Sequence, residues 1–532
     1  MLYHWLTEAL FWKNQYDEVI RYGERGLKLL GDDNECMEAA LMNTCIAYSS
    51  SWKGDKKRHE DYIHRNIEFV KKLDYSREIR IVYDHISQYY ETNDIETSLK
   101  WIRELEKRAR EKNDIRGIAT ALIGEGAILL RKGDFQNALS FINDANRMSQ
   151  SIGDEMTSWE CYGLMNALFI TLGNIDKAKM GLEEILKIEN QMNSSIGICH
   201  CQIGIISMCQ NQWEESIRNF QHSLILCQDA NPSMITYTKI CLTRSYIRNG
   251  DYDLAIQLLV ELADTAIETN NIDLFSTVLS SLEHIYNLMQ TPGKFTEFCD
   301  LFREKHQDAD AKFPLLWYVE PCQPPKGYSN LIFSDEFSQE SINQYWEWIN
   351  EVGDSSYQFN PENGIEIHAA NGRILFARRA DAPRLMRTIS GDFTIEAFIF
   401  PASDDKPQMG GLLIWKDKDN FLRFEKGVDG EREMRLQGNV NGEWQIAGRG
   451  LLPASENDET YLRLERSEDE FTSYCSVDGE NWFTCGKITL PMEDPIQVGI
   501  HAIGMIDRTI YCGEYKEGAA TLFRNFRIWN KG

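Results

Sequence analysis

No stretch of this chain approaches the roughly 18 consecutive apolar residues that a membrane-spanning helix needs. The start, Met1 to Trp12, holds His4 and Glu8 and no basic segment ahead of a long apolar run, so it does not read as a secretory signal. Positive charge is scarce: 56 Lys and Arg stand against 82 Asp and Glu, a net charge of -26. Nucleic acids are held by clustered cations that displace counterions, and this balance argues against such a partner. The two local basic runs, Lys53 to Arg58 and Lys107 to Lys112, sit beside acids on helix faces and read as solvated surface.

Catalytic signatures are also missing. There is no P-loop, no G-x-S-x-G elbow, no H-E-x-x-H pair and no CxxC zinc pair. A Ser-His-Asp triad is assembled in space and leaves no fixed spacing, but the ten histidines belong to no motif. The thirteen cysteines are odd in number and fall mostly at apolar helix positions, where a thiol packs as a small hydrophobe. That usage indicates a reducing compartment and hence a cytoplasmic protein. Cys199, His200, Cys201 and Cys209 form a cluster, yet residues two apart on a helix point about 200° apart and cannot share one ion. No cofactor and no resident metal are expected. Asp417 and Asp419 offer only a weak calcium-like pair.

What is present is a turn signature that returns about every forty residues. It reads Asn14-Gln15-Tyr16, Gly54-Asp55, Asn93-Asp94-Ile95, Gly133-Asp134-Phe135, Gly173-Asn174-Ile175, Asn211-Gln212-Trp213, Gly250-Asp251-Tyr252 and Gly293-Lys294-Phe295. Each follows a helical apolar pattern, and Ala138, Ala178, Ser216 and Ala255 come three residues past the aromatic or aliphatic. The unit is a helical hairpin, and about eight of them make a solenoid. Small Gly126 on a first helix is expected opposite Ala138 on the second, and Gly204 opposite Ser216, where backbones approach closely. Ile142, Leu182, Phe220 and Leu259 are expected to touch the next repeat.

These repeats resemble the tetratricopeptide family over residues 1 to about 305, with a spacing nearer 40 than 34. Spacing of that length resembles the arrays that follow the ATPase modules of large bacterial signalling ATPases and transcription activators. Leu2 to Leu10 already read as a first helix with no polar cap before them. The chain therefore reads either as derived from the C-terminal part of a larger signalling ATPase or kinase or as pairing through that end. In the tetratricopeptide family the first helix of each hairpin lines an inner groove. The resemblance thus implies a peptide groove of Thr120, Ile123, Ala127, Leu130, Ala167, Ile170, Ile205, Met208, Arg244 and Ile247. It would be mostly apolar and suited to an amphipathic helix of a partner protein. The alternative is that the array buries this face against itself.

Past residue 310 the pattern changes. Pro314, Pro321, Pro324 and Pro325 end helical structure and predict a semi-rigid linker over 311–329. Residues 330–532 then alternate in short β-rich segments separated by Gly, Asp and Asn turns, as in a two-sheet sandwich. Leu422 and Phe424 alternate with Arg423 and Glu425, and Leu462 and Leu464 with Arg463 and Glu465. The apolar set should face between the sheets and leave two Arg-x-Glu pairs outside. The segments GGLLIWKDKDNFLRFEKG (410–427), YLRLERSEDEFTSYCSVDGENWF (461–483) and DPIQVGIHAIG (494–504) resemble concanavalin A-like domains related to the regulation-of-enolase proteins. That resemblance implies a jelly roll with a concave face for a glycan or a protein. If the outer side is the concave one, Arg423, Glu425, Arg463, Glu465, Trp415 and His501 would form a polar floor with an aromatic edge. The competing reading is a ladder of cross-strand ion pairs, each contributing only tenths of a kcal/mol. Glycosidases of this fold need two carboxylates about 5 Å apart, and Glu396 lacks a second acid at the needed spacing.

The expectation is a non-catalytic scaffold or sensor arm whose array binds protein and whose sandwich binds a glycan or protein. The alternatives are a lectin-like carbohydrate-recognition protein and a glycoside-processing enzyme.

Overall fold

The structure, a computed structural model, describes residues 2–11, 13, 15–31, 36–91, 94–187, 193–227, 232–306, 320–323, 328–339, 341–360, 364–376, 379–400, 406–428, 430, 432–452 and 459–530. Among them are sixteen helices in eight successive pairs. They are α1 (Leu2–Phe11) and α2 (Tyr16–Leu30), α3 (Met37–Trp52) and α4 (Lys56–Lys72), α5 (Arg80–Glu91) and α6 (Ile95–Glu111), α7 (Ile115–Lys132) and α8 (Phe135–Ser151). There follow α9 (Glu155–Thr171) and α10 (Ile175–Leu186), α11 (Asn193–Cys209) and α12 (Trp213–Leu226), α13 (Pro232–Asn249) and α14 (Tyr252–Thr269), α15 (Ile272–Leu288) and α16 (Gly293–Lys305).

The turn signature works by capping. Gly133 takes φ +77° and ends α7, its N–H bonding to the Leu130 carbonyl at 3.1 Å while Asp134 N–H reaches Leu129 O at 3.0 Å. This closes the orphan carbonyls of the first helix in a left-handed stop that a side chain disfavours. The aspartate that follows starts the second helix: Asp55, Asp94 and Asp134 each accept from the backbone N–H three residues on. The turns at Asn14 and Asn93 include residues outside those described.

Glycine sets the distance within a hairpin. A Cβ on Gly126 would meet Ile142 Cγ1 at 2.6 Å, and one on Gly204 would meet Phe220 Cε1 at 2.6 Å. The close approach expected at these glycines is present: the Ala138 carbonyl lies 3.4 Å from the Cβ position on Gly126, and the side chains that fill the space, Ile142 and Phe220, come one turn beyond Ala138 and Ser216. Ser216 instead bonds Ser245 of the next pair at 2.7 Å. Ile142 and Phe220 thus pack over the glycines of their own hairpins, because a large side chain fills the vacancy over a glycine better than another small residue does, and Ile142 also shares a core with Cys161 and Met165 of the next pair.

The sandwich strands are β1 (Glu320–Cys322), β2 (Asn330–Asp335), β3 (Glu347–Ile349), β4 (Ser356–Asn360), β5 (Gly364–Ala369), β6 (Leu375–Phe376), β7 (Arg379–Ala380), β8 (Arg384–Ile389) and β9 (Phe393–Phe400). They continue with β10 (Gly410–Trp415), β11 (Phe421–Lys426), β12 (Glu433–Val440), β13 (Glu443–Leu451), β14 (Thr460–Ser467), β15 (Glu470–Ser476), β16 (Trp482–Thr489), β17 (Ile496–Ala502) and β18 (Ala519–Asn530). One sheet runs β1-β16-β15-β14-β9-β18-β5-β4 with β2 also on β18, and the other runs β13-β12-β11-β10-β17-β8-β3. Leu412, Ile414, Leu422, Phe424, Leu462, Leu464, Val498 and Phe526 are fully buried between them, as the alternation predicts. β6 and β7 form a separate hairpin.

Part of the expected linker is strand. Pro321 lies in β1, opposite Phe483 at the edge of the larger sheet, where a missing N–H costs no ladder bond. Pro314, Pro324 and Pro325 lie outside the described residues.

The chain forms two compact units. One comprises Met1–Phe169, Asp176–Gln202 and His222–Ile235; the other comprises Ile170–Ile175, Ile203–Gln221 and Thr236–Gly532. The second unit therefore contains the whole sandwich together with the last helical pairs. The first has its own apolar cores, one of them built around Val82, Tyr83, Ile86, Ile102 and Leu105. No described helix is long and apolar enough to cross a membrane, and all thirteen cysteines are free thiols.

Candidate binding site

The site is built on the outward row of the smaller sheet. Register places Arg423 of β11 opposite Gln437 of β12, and Glu425 opposite Arg435. Gly411 of β10 lies between Glu425 and His501 of β17. Because Gly411 has no side chain, the Glu425 carboxylate and the His501 ring meet above it, Oε2 to Nε2 3.0 Å. Glu425 Oε1 also accepts from Gln437 Nε2 at 2.6 Å and faces Arg423 Nε at 3.3 Å. Arg423, Glu425 and His501 are almost wholly buried. Burial alone drives a carboxyl upward, but the Arg423 charge and the His501 and Gln437 hydrogen bonds outweigh it and hold Glu425 below the usual range. Burial likewise keeps His501 below its ordinary value, against the pull of Glu425.

A second buried group continues the row. Glu433 of β12 accepts from Arg449 Nη2 at 2.7 Å and lies 3.3 Å from Arg435 Nε. Burial would raise its pKa, yet Arg449 and Arg435 prevail and lower it. Ser280 of α15 donates to Glu433 at 3.3 Å and accepts from Arg449 at 3.1 Å.

Other parts of the same unit cover this row. Ile503, Ile506 and Tyr511 pack with Leu375 and Ala380 of the β6–β7 hairpin on Leu413, Trp415 and Phe421. Arg508, itself buried, donates to the terminal carbonyls of α9, to Ile170 O at 3.2 Å and to Thr171 O at 3.1 Å, and to Asn371 Oδ1 at 2.7 Å. A cation on the carbonyl end of a helix satisfies both its charge and its orphan acceptors. Asp507 receives Arg244 Nη1 at 2.8 Å and the Thr509 N–H at 2.8 Å. Between floor and cover remains a cavity of about 440 Å³, with Arg423, Arg435, Gln437 and Trp444 on the sheet side and Tyr237, Asp273, Thr277, Asp507 and Arg508 among its other walls. Its aromatic wall is Trp444, 4.6 Å from Phe376 between ring centroids, with the Arg423 guanidinium 5.0 Å from the indole.

The sequence-derived residues divide sharply. Arg423, Glu425 and His501 do converge. Trp415, expected as the aromatic edge, is buried between Phe421, 5.1 Å away, and the Arg384 guanidinium at 4.7 Å. Arg463 and Glu465 belong to β14 of the other sheet and cannot join that floor. There Arg463 stands opposite Glu396, 3.0 Å from it, and stacks 4.3 Å from Trp482. Arg527 flanks Glu396 on the far side at 4.0 Å, so this outer row is a ladder of cross-strand pairs. Asp417 uses its carboxylate within its own hairpin turn, accepting from Asp419 N–H at 2.9 Å and Asn420 Nδ2 at 3.2 Å.

The groove residues scatter as well. Ile123 and Met208 are buried in helix packing, Thr120, Ala127 and Leu130 are half-buried, and Ala167 is exposed. Ile170 and Ile205 line the cavity just described, and Arg244 and Ile247 line a smaller one beside it. Within the second unit this helical face is thus turned to the chain's own 503–510 segment. In the first unit the first helices are less apolar than expected: Asp84 is pushed up to about 8 by burial and then by the nearby charges of Glu160 and Glu91. Sequence reasoning did not single out Glu433, Arg435, Gln437 or Trp444. For the residues of β12 the signal was the same alternation, with Met434 and Leu436 as the inward set of Glu433-Met434-Arg435-Leu436-Gln437.

Residues 334–499 match the beta xylosidase C-terminal concanavalin A-like domain. No curated protein matches the chain. Among solved structures it is similar to the GH43 protein BlXynB from Bacillus licheniformis, at 16% identity over 37% of this chain and 39% of that one, TM-score 0.30. This chain therefore spans well under half of that protein's length. It is also similar to a Rap protein complexed with Competence and Sporulation Factor, at 13% identity over 58% of this chain and 92% of that one, TM-score 0.41. A third similarity is to Cut9–Hcn1 of the APC/C, at 18% identity over 54% and 49% of the two chains, TM-score 0.41. The fold is an array of helical hairpins followed by a two-sheet sandwich, and the match to a concanavalin A-like domain lies in the sandwich.

Proposed function

We propose that this is a non-catalytic recognition protein whose sandwich holds a saccharide in the cavity above the smaller sheet, while its helical array takes a protein partner. The observation that carries the reading is the floor of that cavity, where planar guanidinium and amide groups lie beside an indole. Sugars offer paired hydroxyls to such groups and a C–H face to such a ring. A family model described for beta xylosidases supports the same ligand class. A general acid needs a raised pKa, whereas Asp507 on the cavity wall, which burial alone would raise, is held low by Arg244 and Thr509. Free thiols throughout the chain support a reducing, cytoplasmic setting.

The test is a glycan array followed by calorimetry on the full chain and on Trp444→Ala. Saturable binding lost in the variant, with an unchanged circular dichroism spectrum, supports the reading. Absence of binding to every saccharide, or binding that survives Trp444→Ala, would sink it and leave protein scaffolding by the array.

A further inference from the structure

Beside the saccharide cavity lies a second pocket of about 200 Å³ in the same compact unit. The two share Thr277 and Thr509 as a common wall. Its lining is unlike the rest of this acidic chain: Arg244, Arg248, Arg432 and Arg449 converge on it, with hydroxyls from Thr277, Ser280, Ser281 and Thr509. One lining carboxylate, Glu433, is engaged with Arg449 and Arg435, and Glu283 of α15 acts on Arg432 from nearby. Arg244 is balanced by Asp507 at 2.8 Å. Arg248 and Arg432 each donate to a backbone carbonyl, Ile510 O and Leu452 O, both at 3.2 Å. A carbonyl satisfies an N–H but does not neutralise a charge. Among the described residues the walls therefore carry cationic charge in excess of the carboxylates they hold.

The size is informative. A water molecule takes about 30 Å³, so the space admits a sulfate or phosphate group with its hydration or one small acidic ring. Guanidinium forks and hydroxyls together are the donor set that binds oxyanions.

We propose that this arginine pocket binds an oxyanion, a sulfate or phosphate ester or a carboxylate, carried by the ligand of the adjoining cavity, which makes that ligand an acidic saccharide. The oxyanion site stands on its own residues; only its carrier rests on the saccharide reading above.

The experiment is calorimetry on the full chain at about physiological salt, with inorganic sulfate, inorganic phosphate, glucuronate and neutral xylose as probes. It is repeated on Arg248→Ser, Arg432→Ser and Arg248→Lys, each with its circular dichroism spectrum and melting temperature. At least one anionic probe is expected to bind saturably and to weaken about tenfold or more in both serine variants, since charge-assisted hydrogen bonds are the strong ones. Arg248→Lys should retain part of the affinity. Anion binding with no response to glucuronate or to any saccharide would keep the oxyanion site and remove its carrier. Xylose binding without any anion binding would overturn the oxyanion site while leaving the saccharide reading intact. Anion binding unchanged in folded Arg248→Ser and Arg432→Ser would place the anion elsewhere and overturn the proposal. If both serine variants fail to fold, Ser281→Ala on the same wall is used: unchanged affinity there overturns it.

Discussion

Replacing Glu425 by alanine is the sharpest probe of the buried row. The side chain is fully buried and accepts from Gln437 and His501 while facing Arg423. Its removal takes away the carboxylate that faces a guanidinium whose side chain is 2% exposed. Breaking one side of a buried ion pair costs about 3–5 kcal/mol, because the remaining charge keeps its desolvation penalty. For a domain of about 200 residues each kcal/mol moves the melting temperature by about 2–4 °C, so Glu425→Ala should melt about 6–20 °C lower. The double change Arg423→Met with Glu425→Leu removes both charges and keeps the volume. It should recover much of that loss, since a buried pair is often no better than packed hydrophobes. Differential scanning calorimetry at pH 7 of the parent, Arg423→Met, Glu425→Leu and the double closes the cycle, with Glu425→Ala measured beside it. A loss below about 1 kcal/mol for Glu425→Ala, the scale of exposed ion pairs, would show the row to be solvated and refute the reasoning; so would a double variant as unstable as the sum of the singles.

Four further outcomes follow from the same geometry. His501 and His85 are both held below their ordinary value of 6.5 by burial, so below that pH the unfolded chain binds protons that the folded one refuses. Stability should therefore fall as pH drops through 6.5, by up to about 1.4 kcal/mol per pH unit for each histidine, and His501→Gln should flatten part of the slope in melts at pH 7 to 5. Trp415→Ala should destabilise by about 3–5 kcal/mol as a core truncation, measurable by calorimetry, whereas Trp444→Ala should leave the melt nearly unchanged. Ile123→Glu should unfold its hairpin, read as lost ellipticity at 222 nm, because it buries an unpaired charge, while Ile247→Glu in a half-open wall should keep its helicity. Gly173→Ala should lower the melting temperature, since its φ is +70° and a Cβ would stand 1.8 Å from Glu514 O.

The helical hairpins were legible because their signals are local. Gly133 stops α7 and Asp134 starts α8 through bonds that span at most five residues, so the sequence pattern and the structure carry the same information. The sandwich core was legible for a similar reason: alternation at Leu422 and Phe424 needs only the pleat of one strand. The approach of Gly126 to Ala138 was legible too, but the side chain that fills the gap, Ile142, was not, because that depends on how two helices cross.

The Arg-x-Glu pairs mark the boundary most clearly. Arg423-x-Glu425 and Arg463-x-Glu465 read alike, and alternation alone turned both outward. Which sheet each hairpin entered was decided by pairings across scores of residues, β10 with β17 for the first and β14 with β9 for the second. One pair was then sealed under residues 503–511 of its own chain, and the other was left beside an ion-pair ladder. By itself the sequence determined where helices and strands begin, end and turn their apolar faces, because capping and pleat act over a few residues. Only the tertiary structure decided which outward face is covered, since covering a charge depends on segments distant in sequence that supply its partners.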